Sequence, residues 1–321
     1  MDILSLHNAD FRVELSPFGA TLHRLIMLHG PGNILVSRPD PFQTVKGYLG
    51  ASVGRYANRI DAGAFELDGV RHQLDANEPP NTLHGGAGGF SERVWEVRAH
   101  TDTAAVMALT SDDGDQGFPG RLEVEAEFSL LDDGLQVVYR AQTDAPTVVN
   151  LTCHPYFNLR GGRGTVSEYV LRMPAGHYTP LRPDGIPTGV VADVTGTAMD
   201  FRSPRMIGTA RSEAIAQGIA QSGGYDHNFV IDGMGLRQHL EMLCPDGPRL
   251  RVFSDAPAVQ LYDGAHFDGT LIGAADLPVP ERGGIAIEPQ NYPDAPNHAN
   301  FPSSVLRPGQ SYSRTIQYRL S

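Results

Sequence analysis

Arg121-Leu122-Glu123-Val124-Glu125-Ala126-Glu127-Phe128-Ser129-Leu130 places an apolar side chain at every second position and a polar one before each. A strict two-residue period is the pattern of a half-buried strand with one wet face. Asp132-Asp133-Gly134 then supplies turn formers, and Leu135, Val137, Tyr139 and Ala141 resume the period, so the two runs predict an antiparallel hairpin. Tyr312, Ile316, Tyr318 and Leu320 repeat the theme further on. Apolar runs at 21–28, 104–110, 147–152, 250–253, 258–262 and 284–287 are each bounded by Gly, Pro, Asp or Asn. Only Thr209–Gln221 carries a helical spacing, through Ala210, Ala214, Ile215 and Ile219, and one helix cannot provide the crossovers of a parallel sheet. There is no internal repeat and no linker-like shift of composition. Residues 1–321 are therefore expected to form one all-β domain, a large antiparallel β-sandwich.

Composition agrees with many short strands, since the 321 residues include 36 glycines and 24 prolines. A formal charge of −12 without any basic run argues against a nucleic acid partner. No stretch approaches the roughly 18 to 20 uninterrupted apolar residues of a spanning helix, so no membrane partner is expected. The first fifteen residues lack a basic segment followed by an apolar one, which predicts a cytoplasmic protein. Cys153 and Cys244 lie far apart and read as reduced thiols. The sequence has no HExxH, CxxC, GxSxG or GxxxxGK[ST] motif, and a calcium loop begun at Asp113 would put Val124 where the bidentate Glu belongs. Neither a metal nor a cofactor is expected.

Polar residues gather in five segments that end strand-like runs or open loops: Gly54-Arg55-Tyr56-Ala57-Asn58-Arg59-Ile60, Asn81-Thr82-Leu83-His84-Gly85-Gly86, Asn150 to Leu159 around His154-Pro155-Tyr156-Phe157, Gly224-Tyr225-Asp226-His227-Asn228-Phe229, and Ile287-Glu288-Pro289-Gln290-Asn291 continuing to Asn297. Loops on a rigid sheet are where function tends to sit. Singly, each has a plain structural alternative: His84 as a satisfied hydrogen-bonding residue, Arg55 and Arg59 as a solvated arginine and a salt-bridge partner. Glu288 stands apart because it follows the apolar run 284–287. A carboxylate there is costly unless it is paired or used.

In this order the five segments resemble the aldose 1-epimerase (galactose mutarotase) family. Phe18-Gly19-Ala20-Thr21, Pro187-Thr188-Gly189, Gly196 to Arg202 and Pro293-Asp294-Ala295-Pro296-Asn297 fall in register with it too, so the likeness spans nearly the whole chain. The resemblance implies that family's large twisted β-sandwich and a small-molecule monosaccharide as partner. It implies a general acid at His154, a general base at Glu288, and sugar contacts at Asn58, Arg59, His84, Tyr156, Asp226 and Gln260. Arg55 is a weaker candidate from the same motif. Two departures stand out: Cys153 where many relatives have Asn, and Tyr262-Asp263-Gly264-Ala265 in place of Tyr-Thr-Gly-Asn, the latter bordering the implied pocket.

The chemistry suits those residue types. A pyranose opens when its anomeric O1 loses a proton while the ring oxygen O5 gains one, and after rotation about C1–C2 the two transfers reverse. A glutamate is ionised near neutrality and can take the O1 proton, whereas a histidine held protonated by carboxylates such as Asp226 can give one to O5. Arg59 and His84 would polarise the sugar oxygens, Asp226 and Gln260 would grip hydroxyls, and Tyr156 or Tyr292 would stack on an apolar sugar face. Asp294 and Asn297 are expected to shape the pocket wall. Two alternatives compete. A hexose-6-phosphate 1-epimerase would need extra cations for the phosphate. A non-catalytic sugar-binding protein would need no matched proton donor and acceptor.

Overall fold

The computed structural model describes residues 1–43, 47–220, 223–273 and 276–321. Two large antiparallel sheets carry the architecture. The nine-stranded sheet runs, in spatial order, Glu96–His100, Ala104–Ser111, Leu122–Leu131, Gly134–Thr143, Tyr312–Leu320, Arg249–Ser254, Arg237–Leu243, Val170–Arg172 and Arg205–Met206. The seven-stranded sheet runs Ala192–Asp193, His177–Tyr178, Asp226–Val230, Ala258–Tyr262, Ile285–Gln290, Tyr156–Phe157 and Leu35–Val36. A four-stranded sheet of the first 33 residues and several short ribbons complete the fold.

The predicted hairpin forms with Leu122 opposite Thr143 and Leu131 opposite Gly134. Leu122, Val124, Ala126 and Phe128 are buried, while Glu123 and Glu125 face solvent. These apolar side chains share one core with Leu261, Ile285 and Ile287 of the other sheet, and Phe157 meets Tyr318 across it at 5.2 Å between ring centroids. This is face-to-face packing of two sheets.

The seven-stranded sheet is buried on both faces along its central strands. Phe229, Val259, Leu261, Ile285 and Ile287 point into the core between the sheets. The two-residue period then sends Asp226, Gln260, Tyr262, Ala286 and Glu288 to the opposite face. That outer face, roofed by loops, is where polar side chains collect.

The single α-helix of the described residues spans Ile207–Ala216 and begins two residues earlier than the spacing predicts. It stops at Gln217, and Gly218 follows in the left-handed region at φ 70°. Ile219 packs partly against the core from beyond the helix, which is why it fits the apolar pattern without belonging to it. Gln221 lies outside the described residues. No helix of the described residues is long and apolar enough to cross a membrane. Cys153 and Cys244 are both buried free thiols.

Candidate active site

Three neighbouring strands supply one row of side chains. Glu288 lies directly opposite Gln260, and Gln260 opposite Asn228 on the strand that Asp226 begins. Gln260 Nε2 donates to Asp226 Oδ1 at 2.7 Å, which fixes both side chains. His154 enters from the next segment, between the short strands Thr152–Cys153 and Tyr156–Phe157. Its backbone is pinned twice, donating to the Ala51 carbonyl and accepting from the Gly50 N–H, each at 2.9 Å. The result puts His154 Nε2 3.3 Å from Glu288 Oε1. Both residues are almost fully buried, at 4% and 1% exposed.

A cavity of about 620 Å³ opens over this pair. Asn58, Arg59, His84, His154, Tyr156, Asp226 and Glu288 all line it, so seven of the eight residues singled out in the sequence meet there. Gln260 is the eighth, and it reaches the site through its bond to Asp226. Arg55 does not take part. Its guanidinium is buried and donates to the carbonyls of Pro119, Gly120, Ser111 and Asp112, where it ties loops together. Tyr292 packs in a separate core cluster against Phe301 at 5.0 Å, so of the two tyrosines only Tyr156 lines the cavity. Asp294 and Asn297 sit behind the wall. The Asp294 N–H donates to the Arg59 carbonyl at 2.8 Å, and Asn297 Nδ2 bonds the Ala64 carbonyl.

Tyr48, Asn77, Glu78 and His266 also line the cavity and went unnoticed in the sequence. Glu78 had a faint signal, an acidic residue set just ahead of Pro79-Pro80 and the Asn81-Thr82-Leu83-His84 motif. His266 had none, since its position depends on the Tyr262 hydroxyl, which lies 2.8 Å from His266 Nδ1 and accepts the His266 backbone N–H at 2.9 Å. The two rings stack nearly parallel, 5.4 Å apart. The departure at Tyr262 to Ala265 does border the pocket, because Tyr262 and Ala265 are both in its wall.

His84 is oriented by its neighbour in the Asn58 segment. The Asn58 backbone N–H donates to His84 Nδ1 at 3.0 Å, so the neutral ring carries its proton on Nε2. His84, His154 and Glu288 bring a potential ligand atom each to within 4.8 Å of one another, a spacing that a metal ion could bridge. The chemistry of the donor set does not suit one. A metal-bound histidine donates its second N–H to an acceptor, whereas His84 Nδ1 faces a donor. The ring therefore offers an N–H to whatever occupies the cavity.

Burial governs the charges. Desolvation lowers the His154 pKa to about 4, and the nearby Asp226 offsets only part of this. The same burial, aided by the Asp226 carboxylate and opposed by Arg59, pushes Glu288 well above the usual carboxylate range. This corrects the expectation of a histidine held protonated by carboxylates. Burial thus favours the neutral form of both groups. His84 is likewise lowered, by burial first and then by His154 and Arg59. Burial also pulls on Arg59, but its hydrogen bonds to the Glu78 carboxylate and the Asp226 charge outweigh it and keep the guanidinium firmly protonated.

A family model for aldose 1-epimerase matches residues 2–319. The chain is 36% identical to the aldose 1-epimerase of Escherichia coli K12 over 98% of its own length and 93% of that protein's. It is 38% identical to the galactose mutarotase of Homo sapiens, covering 97% and 91%. Among solved structures it superposes on the aldose epimerase homologue from C. elegans with a TM-score of 0.91 at 29% identity, over 100% of this chain and 98% of that one. The galactose 1-epimerase of Lactobacillus acidophilus gives a TM-score of 0.87 at 30% identity, with coverage of 99% and 93%. With a two-sheet sandwich, a buried histidine–glutamate pair and relatives matched over nearly their full length, this chain belongs to the aldose 1-epimerase family.

Proposed function

We propose that the protein interconverts the α and β anomers of a free aldose, with Glu288 and His154 moving the two protons. The observation that carries this reading is the 3.3 Å contact between two buried, oppositely titrating groups at the floor of a sugar-sized cavity. Passing the shared proton from Glu288 to His154 gives a carboxylate and an imidazolium. The carboxylate accepts the O1 proton and the imidazolium donates to O5, which opens the ring. After rotation about C1–C2 the carbonyl presents its other face, His154 regains its proton from O5, and Glu288 returns one to O1. The pair ends as carboxylate and imidazolium, and return of the proton from His154 to Glu288 restores the form it began in.

Since both charges of the working form arise inside a buried cavity, nearby dipoles act with little screening. The Nε2–H of His84 and the Arg59 guanidinium supply donors to the sugar oxygens. Asp226, fixed by Gln260, accepts from hydroxyls, and the Tyr156 ring, 5.1 Å from His154, forms part of the apolar wall. Electrostatics favour a neutral sugar over a hexose 6-phosphate. Arg59 is the only Arg or Lys among the described lining residues, and Glu78, Asp226 and Glu288 share the cavity with it. A phosphate would lack free charged partners there, at a cost of several kcal/mol, on the order of that for an unpaired buried ion. Retention of a matched donor and acceptor also speaks against a purely binding role.

Polarimetry of freshly dissolved single anomers of galactose, glucose, xylose and arabinose tests the reading. Catalysed approach to the equilibrium rotation is expected for at least one of them. A protein that leaves every spontaneous rate unchanged is not an aldose 1-epimerase.

A further inference from the structure

Arg59 is held more tightly than a sugar-binding arginine requires. Its Nε and Nη2 donate to the two carboxylate oxygens of Glu78 at 2.5 and 2.9 Å, and Nη1 stands 3.5 Å from Asp226 Oδ2. Gly185 presses on the guanidinium from outside, where a Cβ would lie 3.1 Å from the Arg59 Cζ. Glu78 is itself 41% exposed at its side chain, so a wet carboxylate is spent on a mostly buried cation. Arg59, Glu78 and Asp226 together form the wall shared with a second, smaller cavity of about 350 Å³. The planar fork of Nε and Nη2 is the geometry that binds phosphate or carboxylate bidentately. Glu78 occupies that fork.

We infer that Glu78 is a specificity-determining residue that excludes anionic sugars by occupying the anion-binding edge of Arg59. The inference rests on the proposed anomer interconversion and deepens it. Glu78 acts through Arg59 and is therefore a positioning residue; no proton transfer passes through it. With its carboxylate in place Arg59, the one Arg or Lys among the described lining residues, is already paired, and a phosphorylated sugar meets the carboxylates of Glu78 and Asp226 beside it. Without that charge, the fork of Arg59 turns from an internal pair to an open dianion site. Discrimination of this kind is built from repulsion as well as attraction.

The test compares kcat/KM for glucose and for glucose 6-phosphate in the wild type, Glu78→Gln, Glu78→Ala and Glu78→Asp. Glu78→Gln and Glu78→Ala are expected to raise the ratio of the phosphate to the free sugar by about tenfold or more, and the gain should shrink as salt is added. Glu78→Asp should keep the wild-type ratio, because it retains the charge. A loss of both activities in parallel is what a merely structural residue would give, and it overturns the proposal, as does an unchanged ratio. Circular dichroism confirms which variants fold; if Glu78→Ala does not, Glu78→Gln decides. If the wild type turns over neither sugar nor any other aldose, the functional reading fails; if it turns over free sugars and the variants do not shift the ratio, only this inference fails.

Discussion

His154 and Glu288 face each other at 3.3 Å, and burial drives the two toward neutrality from opposite directions. A pair that holds one proton is competent over the interval between its two titrations. Below that interval the histidine gains a second proton; above it the pair loses the only one it has. With His154 lowered to about 4, the acid edge of that interval lies well below the range of an ordinary histidine, and burial of Glu288 moves its other edge upward. The profile of kcat/KM, which reports the free enzyme, is thus expected to show no acid limb where an ordinary histidine near pKa 6.5 would titrate. An acid limb centred near 6.5 would show that His154 is not desolvated as described.

Arg55 is a structural residue, and its removal should cost stability without touching sugar affinity. Its guanidinium satisfies carbonyls from Ser111, Asp112, Pro119 and Gly120 and the hydroxyls of Ser111 and Thr147. Arg55→Ala strands these acceptors in a buried site, a loss of about 3 to 5 kcal/mol by comparison with broken buried ionic contacts. Chemical denaturation measures it. For the protein that remains folded, KM should match the wild type, and a large KM increase would place Arg55 in the sugar site after all.

Metal removal offers a third check. Because His84 presents an N–H and not a lone pair to the cavity, the cluster it forms with His154 and Glu288 is not expected to hold an ion. Dialysis against a strong chelator should leave the mutarotation rate unaltered. Loss of activity that zinc or another divalent ion restores would mean that the His84 ring is turned the other way.

Much of this arrangement is legible in one dimension, for identifiable reasons. The alternation from Leu122 to Phe128 needs only period two and a wet face, and it appears as the central hairpin with the expected sides in and out. Glu288 stands out because a carboxylate ending an apolar run must be explained, and it lies on the face of its strand opposite Ile285 and Ile287. What the pattern cannot carry is the environment created by folding. The depth at which His154 is buried, which lowers its pKa, comes from segments distant in sequence, with Tyr48 and His84 packed against its ring. Glu78 and His266 join the site through single contacts, to Arg59 and to Tyr262, that no periodicity encodes. Arg55 and Arg59 sit four residues apart in one motif, yet one faces inward to backbone carbonyls and the other lines the cavity.

The central claim is that His154 and Glu288 are the two proton carriers, and single-site variants measured by polarimetry test it most directly. His154→Asn and Glu288→Gln preserve size while removing the titrating group. Each should lower kcat by roughly 10²- to 10⁴-fold with little change in KM, as for the loss of a general acid or base. If both variants keep more than about a tenth of the wild-type rate, well outside that range, the protons travel by another route and the account is wrong.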